Sequence, residues 1–211
     1  MNKGFYLVFE GITGSGKTTQ AKKLAKYLRE KYPDKKIVLT REPGGSEIAD
    51  KIRQVVQVIK FDEGMDPICE AYLYAASRAQ TLRKVVQPIL VQRGIVISDR
   101  SFVSSLAFQG GGRQLGLKEI LKINQTAIGH LEPNLIVYLD LDVKASLTRC
   151  LDQDGDKFEM KGAKFFTKVA RSYRQASRLN ILKNKWLNVD ASGSEGEVFA
   201  RIIKAINPYL K

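Results

Sequence analysis

A glycine-rich loop between an apolar run and a helical pattern constrains the fold of this chain more than any other feature. Residues 11–18 read GITGSGKT and match the pattern GxxxxGK[ST]. The apolar run FYLVF at residues 5–9 precedes this segment, and a stretch with helical spacing over residues 17–31 follows it. Because the glycines let the backbone curl tightly, the pattern predicts a strand, a tight loop and a helix in succession.

Four further apolar runs alternate with helical patterns along the chain. They lie at residues 36–40, 95–98, 135–139 and 186–189. Runs that are apolar on both faces are typical of parallel strands that helices cover on each side. The sequence therefore predicts an α/β fold, a doubly wound parallel five-stranded sheet flanked by helices on both faces. Ligands of such folds bind beyond the carboxyl ends of the strands.

The segments between these runs predict the helices and loops. Helices are expected over residues 17–31, 47–58, 67–93, 117–129, 164–183 and 195–206. Pro88 is expected to kink or restart the third of them, and Asp142 to cap another helix that runs through Arg149. The glycine-rich segment 108–116 is expected to form a loop over the ligand. The acidic segment 152–156 is compatible with a mobile flap and with an ordinary surface loop.

Charge and composition restrict the class of protein without choosing a function. The net charge is +13, which favours anionic partners but also suits a basic solvated surface. No apolar run approaches the ~18 residues of a membrane span, and residues 5–9 are expected to be a strand rather than a signal peptide. Cys69 and Cys150 lie far apart in the sequence, which argues against a disulfide framework or a zinc site and favours the cytoplasm.

Residues 11–18, the phosphate loop, have the chemistry of a nucleoside triphosphate site. Backbone N–H groups in such a loop point at phosphate oxygens, and the positive end of the following helix adds to this field. Lys17 is expected to bridge the β and γ phosphates, and the hydroxyl of Thr18 to ligate Mg²⁺. The predicted nucleotide-binding residues are Gly11, Thr13, Gly14, Ser15, Gly16, Lys17, Thr18 and Thr19.

Three arginines are placed where the predicted elements would aim them at one crevice. Arg41 and Arg100 each follow a predicted strand, and Arg78 lies on the long third helix. An arginine fork grips phosphate oxygens in pairs, so the set could hold a second phosphate, although each alone could be a surface residue or an ion-pair partner. Asp99 ends a strand and is expected to orient Mg²⁺, whereas Asp140 is expected to belong to a turn.

These motifs together resemble the thymidylate kinase family of P-loop nucleoside monophosphate kinases, and the resemblance runs along most of the chain. It rests on FEGITGSGKTTQ at residues 9–20, REPGG at 41–45, SRAQ at 77–80 and DRSFVSSLAFQG at 99–110. Many families share the first motif. The combination of REPGG with DRxxxSxxAFQG is specific. A kinase of this type has a single domain, here residues 1–211, with a short lid at about 150–163.

The resemblance implies transfer of the γ-phosphate of ATP to dTMP by a homodimer that uses Mg²⁺. The acceptor is a phosphate oxygen that is already largely ionised, so positioning and charge neutralisation suffice and no general base is needed. The implied catalytic residues are Lys17, Asp99, Arg100, Arg149 and Lys157, and the implied metal site is Thr18 and Asp99. The implied substrate-binding residues are Arg41, Pro43, Tyr74, Arg78, Arg100, Ser104, Ser105, Phe108 and Gln109.

The chain departs from the family's pattern at three places. Thr13 stands where the family usually has an acidic residue, and Ser101 where it usually has Tyr or His. The lid region also contains few arginines. Arg149 and Lys157 are therefore expected to stabilise the charge that develops on the transferred phosphoryl group.

Two alternative functions remain open at this level. A deoxynucleoside kinase uses a neutral hydroxyl as acceptor, and DRS at residues 99–101 superficially resembles the motif of that family. Arginines directed at a second phosphate disfavour this alternative. A nucleic-acid-binding P-loop ATPase would account for the net charge of +13, but the sequence contains no recognised nucleic-acid module.

Overall fold

The computed structural model describes residues 3–59, 61–150 and 162–210. Across these residues the strands are β1 Phe5–Glu10, β2 Ile37–Arg41, β3 Ile95–Asp99, β4 Leu135–Asp140 and β5 Trp186–Asp190. They form one sheet in the order β2-β3-β1-β4-β5, and each neighbouring pair is parallel. The predicted doubly wound parallel sheet is confirmed, with small shifts at the strand ends.

Helices cover both faces of this sheet. Their bounds are α1 Lys17–Lys31, α2 Glu47–Arg53, α3 Pro67–Thr81, α4 Gln87–Val91, α5 Phe102–Ser105, α6 Leu117–Ile128, α7 Val143–Cys150, α8 Gly162–Ala176 and α9 Glu195–Ile206. π-helical segments extend α2, α3 and α5 over Gln54–Val58, Leu82–Val86 and Leu106–Gly112, and 3₁₀ turns cover Asn180–Leu182 and Asn207–Tyr209. Within the described part of the chain, none of the helices is both long and apolar enough to span a membrane.

Alternate side chains of the central strand enter two separate hydrophobic cores. Tyr6 and Val8 of β1 pack with residues of α3, α5, α6 and α8, whereas Leu7 and Phe9 pack with residues of α1 and α9. All four side chains are buried. Since both faces of β1 are covered, its sequence is a continuous apolar run rather than an alternating one.

The predicted loop over residues 108–116 is wrong in its first half. The π-helical segment Leu106–Gly112 continues α5 and packs against α8. Its glycines permit this close packing, because a Cβ atom on Gly111 would collide with the side chain of Ser172. A Cβ atom on Gly112 would likewise collide with the ring of Phe165 on α8. Glycines that serve packing and glycines that serve turns look alike in a sequence.

The predicted interruption of the long third helix is confirmed. The π-helical segment Leu82–Val86 precedes α4, whose second residue is Pro88. Proline has no N–H group and cannot complete the regular hydrogen-bond pattern, so the α-helix restarts there. The helix predicted over residues 164–183 is shorter than expected, because α8 ends at Ala176 and only a 3₁₀ turn follows.

The predicted helix cap at Asp142 is also confirmed. Its Oδ1 atom accepts hydrogen bonds from the backbone N–H groups of Lys144 at 2.8 Å and Ala145 at 3.2 Å. These bonds satisfy N–H groups that the first turn of α7 leaves without a helical partner. The acidic segment 152–156 and most of the predicted lid lie outside the described residues.

The register of the sheet brings polar strand ends to one level. Asp99 at the end of β3 pairs in register with Phe9 of β1 on one side and with Arg41 of β2 on the other. Glu10 follows Phe9 and ends β1, directly before the phosphate loop. The candidate site is therefore built at the carboxyl edge of the sheet, where doubly wound folds bind their ligands.

Candidate active site

The phosphate loop connects β1 to α1, as the sequence predicts. Gly14 and Gly16 have φ angles of 75° and 86°, a region that glycine adopts without steric strain. A Cβ atom on Gly16 would meet no atom within 4 Å, so the backbone there faces open space. A Cβ atom on Gly11 would instead press against the carbonyl oxygen of Leu139, so that glycine is required for packing beneath the loop.

Lys17 lies within the curl of the loop. Its side chain is buried, and Nζ donates hydrogen bonds to the carbonyl oxygen of Ile12 at 2.7 Å and to Oγ of Ser15 at 3.2 Å. The loop thus holds the ammonium group next to its own backbone N–H groups. This arrangement concentrates positive potential on one side of the loop, as a phosphate site requires.

A cleft of about 780 Å³ opens beside the phosphate loop. This volume lies in the usual range for small-molecule sites. Every predicted nucleotide-binding residue except Gly11 lines the cleft, as do Arg41, Asp99, Arg100 and Arg149. The cleft is also lined by Ala191 and Gly193, which follow β5, and by Glu195 and Val198 in the first turn of α9. Lys157, the other cation predicted to be catalytic, lies outside the described residues.

Thr18 and Asp99 meet at the floor of the cleft. Oγ1 of Thr18 donates a hydrogen bond to Oδ2 of Asp99 at 2.5 Å. The other carboxylate oxygen, Oδ1, is buried and has no hydrogen-bond partner among the described residues. Hydroxyl and carboxylate oxygens are ligands that Mg²⁺ prefers, and this ion takes its remaining ligands from water and phosphate. The pair therefore fits the predicted metal site.

A narrow slot adjoins the cleft. Its volume is about 30 Å³, far smaller than that of the cleft. The residues that line it are Glu42, Pro43, Gln57, Tyr74, Arg78, Arg100, Ser101, Ser104, Ser105, Phe108 and Gln109. This set contains every predicted substrate-binding residue except Arg41. Three residues, Glu42, Gln57 and Arg100, line both the slot and the cleft.

Arg100 stands where the two cavities meet. Its backbone has a φ angle of 81°, which is unusual for a residue other than glycine. Nη1 donates hydrogen bonds to the carbonyl oxygen of Gly11 and to Oγ of Ser104, each at 3.1 Å. The guanidinium carbon lies 5.2 Å from the centroid of the Phe108 ring, within the range of a cation–π contact. These contacts orient the guanidinium group toward the boundary of cleft and slot.

Arg78 is held almost entirely by the protein. Its guanidinium donates from Nε to Glu42 at 2.7 Å, from Nη1 to Asn124, and from Nη2 to the carbonyl oxygen of Ser101 at 3.1 Å and Oγ of Ser105 at 3.2 Å. These bonds use four of the five N–H groups that an arginine carries. Arg78 does line the slot, but this arrangement does not favour the expected grip on two phosphate oxygens.

Arg41 faces the cleft rather than the slot. Its Nη2 atom pairs with Oδ1 of Asp50 at 3.0 Å, and the side chain is more than half exposed. Arg53 lines the same cleft and donates from Nη1 to the carbonyl oxygen of Pro43 at 3.0 Å. The structure therefore gathers Arg41, Arg78 and Arg100 around one pair of adjoining cavities, with a different environment for each.

A buried carboxylate supports the segment that carries Arg100. Oε1 of Glu10 accepts hydrogen bonds from the backbone N–H and the hydroxyl of Ser101, both at 2.8 Å. Oε2 accepts from Oγ of Ser104 at 2.6 Å and from the hydroxyl of Tyr173 at 2.9 Å. Burial and the nearby Glu10 raise the pKa of Tyr173 well above its ordinary value, so this phenol stays protonated and donates. The hydrogen bonds of Ser101 to Glu10 therefore fix the backbone directly after Arg100.

The sequence reasoning missed several lining residues of the cavities, and Glu42, Arg53 and Gln57 are three polar ones near the acceptor arginines. Glu42 lies inside the REPGG motif, which was a sufficient signal to consider it. Arg53 and Gln57 are four residues apart on the helical segment that follows this motif, so they share one face. Oε1 of Gln57 is buried and has no partner in the described part of the chain.

Comparisons with known proteins identify the family of this chain. The thymidylate kinase family model matches residues 9–202. The chain is 41% identical over 207 residues to a thymidylate kinase of Geobacillus sp. (strain WCH70), and 38% identical over 207 residues to one of Lactobacillus delbrueckii subsp. bulgaricus. Both matches cover 97% of this chain and 96% of the relative.

A solved structure supports the same assignment. The crystal structure of thymidylate kinase from Ehrlichia chaffeensis matches with a TM-score of 0.75 at 29% sequence identity. The match covers 96% of this chain and 98% of that one. Fold, site residues and nearly full-length similarity lead to one conclusion. This chain belongs to the thymidylate kinase family.

Proposed function

We propose that this protein transfers the γ-phosphate of ATP to dTMP and so forms dTDP. The observation that carries the proposal is the junction at Arg100 between the cleft of the phosphate loop and the slot lined by Tyr74, Phe108 and Gln109. Two adjoining nucleotide sites allow a donor and an acceptor to face each other across one phosphoryl group. Such positioning supplies most of the catalysis in reactions of this kind.

The donor occupies the cleft in this proposal. The loop N–H groups and Lys17 hold the β and γ phosphates, while Thr18 and Asp99 hold Mg²⁺. When bound, this ion neutralises charge on the phosphates. The base of ATP lies near Ala191 and Gly193, which line the cleft outside the phosphate loop. Arg149, which lines the cleft, and Lys157 are the residues assigned to neutralise charge on the transferred group.

The acceptor dTMP occupies the slot, with its phosphate at the junction. Tyr74 and Phe108 wall the base and sugar, and Arg100 neutralises the acceptor phosphate, helped by Arg41 and Arg53 from the cleft side. The slot is about 30 Å³, so the nucleoside enters as the side chains around it move apart. The nucleophile is an ionised phosphate oxygen, and no general base is required.

A comparison of acceptors tests the proposal. We expect dTMP to give the highest kcat/KM, with dUMP about 10-fold lower, since one buried methyl group contributes about 1–3 kcal/mol. Purine acceptors such as dGMP should give much slower transfer, because the larger ring requires the side chains around the slot to move further apart than thymine does. The rate of ADP formation with each acceptor is the measurement. Preference for thymidine over dTMP, or ATP hydrolysis that DNA stimulates without any acceptor, would contradict the proposal.

We also propose that the protein is a homodimer that pairs through the outer faces of α2 and α3. These helices pack against each other and leave large apolar side chains exposed. Ile48, Ile68 and Tyr72 lie on these two helices, and Val55, Val58, Ile59 and Phe61 lie on the segment that connects them. Exposed apolar side chains favour association, and a second copy of the same face is an apolar partner of matching chemistry.

The dimer proposal predicts that Tyr72→Asp yields a monomer. Tyr72 is 59% exposed, so a carboxylate there costs little in the folded monomer but is unfavourable in an apolar interface. The matched control is Val91→Asp, because Val91 is 77% exposed and lies about 28 Å further along the same helical run. Light scattering coupled to gel filtration measures the mass. A dimeric Tyr72→Asp protein would exclude this face.

Two further expectations accompany the proposal. One is that the chain forms one domain with a lid at about residues 150–163. The other is that the protein works in the cytoplasm, which the free and exposed thiol of Cys69 supports, since reducing compartments preserve such groups.

A further inference from the structure

A buried carboxylate holds the amide of Gln109 in one orientation. Glu70 on α3 and Gln109 are both almost completely buried. Nε2 of Gln109 donates a hydrogen bond to Oε1 of Glu70 at 2.8 Å. Arg113 approaches the same carboxylate, with Nη2 at 2.8 Å from Oε2 and Nε at 3.4 Å from Oε1. The sequence reasoning assigned no role to Glu70 or to Arg113.

The charge of Glu70 decides which end of the amide faces it. The carboxylate of Glu70 pairs with the guanidinium of Arg113, and an ionised carboxylate only accepts hydrogen bonds. If the amide of Gln109 turned over, two acceptor oxygens would face each other in a buried position without a proton between them. That arrangement costs about 1–3 kcal/mol for an unsatisfied buried group. The NH₂ group therefore faces Glu70, and Oε1 of Gln109 is the end left for the slot.

We propose that Glu70 sets the base specificity of the slot by presenting Gln109 as a hydrogen-bond acceptor. Thymine and uracil carry an N–H donor at position 3, whereas cytosine carries an unprotonated acceptor nitrogen there. An acceptor in the slot pairs with the first two bases and leaves the third with two opposed acceptors. The inference rests on the proposed function and deepens it, because it names Glu70 as a positioning residue that acts through Gln109 on the choice of pyrimidine.

The substitution Glu70→Gln tests whether Glu70 fixes the orientation of the Gln109 amide. An amide at position 70 keeps the shape of the carboxylate but can donate to Oε1 of Gln109, so the amide of Gln109 is free to present its NH₂ group to the slot. We expect kcat/KM to fall at least ~10-fold for dTMP and to rise for dCMP, which lowers their ratio on the order of 100-fold. The control Arg113→Lys keeps the charge on both partners and should leave the ratio within ~3-fold of the wild type.

The ratio of kcat/KM for dTMP to kcat/KM for dCMP distinguishes a change of specificity from a loss of folded protein. A merely structural Glu70 would lower both rates by a common factor and leave the ratio unchanged, which would overturn the inference. Should Glu70→Gln fail to fold, calorimetric titration of the wild-type protein with dUMP and dCMP decides the matter. These nucleotides differ only on the base edge that carries positions 3 and 4. We expect dUMP to bind ~100-fold more tightly.

Equal affinity for dUMP and dCMP would overturn the inference even if dTMP is a good substrate. Tight binding of dUMP without turnover of dTMP would instead contradict the proposed function and leave the role of Glu70 supported. The two proposals therefore fail in different experiments.

Discussion

Replacing Lys17 by alanine is expected to abolish phosphoryl transfer, with kcat for dTMP phosphorylation falling by at least ~10³-fold. Lys17 is the cation that the phosphate loop itself encloses, through hydrogen bonds to Ile12 and Ser15. In the proposed donor complex its ammonium group neutralises charge that grows between the β and γ phosphates as the bond breaks. Water cannot replace a fixed charge in this enclosed position.

The control for this experiment is Lys26→Ala. Lys26 lies on the same helix, is exposed, and lines neither the cleft nor the slot, so its removal should change kcat by no more than ~2-fold. The initial rate of ADP formation at saturating ATP and dTMP is the measurement, and thermal melting verifies that both variants fold. Normal turnover of Lys17→Ala would remove the phosphate loop from the chemistry.

The sequence predicted the sheet and the phosphate loop well because local chemistry dictates both. A glycine-rich turn that must expose backbone N–H groups leaves little choice of residue, and Gly14 and Gly16 adopt the positive φ angles that this turn requires. The same reasoning located Thr18 and Asp99, since Thr18 lies in the first turn of α1 and Asp99 ends β3. Their contact joins residues far apart in sequence, but the parallel register of β1 and β3 makes it predictable.

The partners of the slot residues could not be predicted in this way. Arg78 was expected to reach for phosphate, yet Glu42 and Asn124 hold it, and Asn124 belongs to a helix whose placement no local pattern specifies. The role of Glu70 was missed for the same reason, because only the packing of α3 against the segment of Gln109 brings the two together. Motifs identify which residues meet a ligand, whereas tertiary packing decides how many hydrogen bonds each has left to offer.

The variant Arg100→Ala should change the kinetic constants for dTMP far more than those for ATP. We expect kcat/KM for dTMP to fall on the order of 10³-fold, through both a higher KM and a lower kcat, because a bidentate guanidinium contributes to binding and to charge neutralisation. KM for ATP should change by less than ~3-fold, since the residues of the phosphate loop hold the donor. Arg100→Lys keeps the charge but loses the planar guanidinium group. Its kcat/KM for dTMP should lie between the values of the wild type and of Arg100→Ala.

The structure makes this a test of chemistry rather than of backbone strain. Arg100 has a φ angle of 81°, and alanine and lysine carry the same Cβ atom, so both variants experience equal strain at that position. The matched control is Arg171→Ala, because Arg171 is exposed on α8 and lines neither cavity. Steady-state kinetics with each substrate varied in turn separates the two KM values. A defect confined to ATP would place Arg100 on the donor side and contradict the junction on which the proposed function depends.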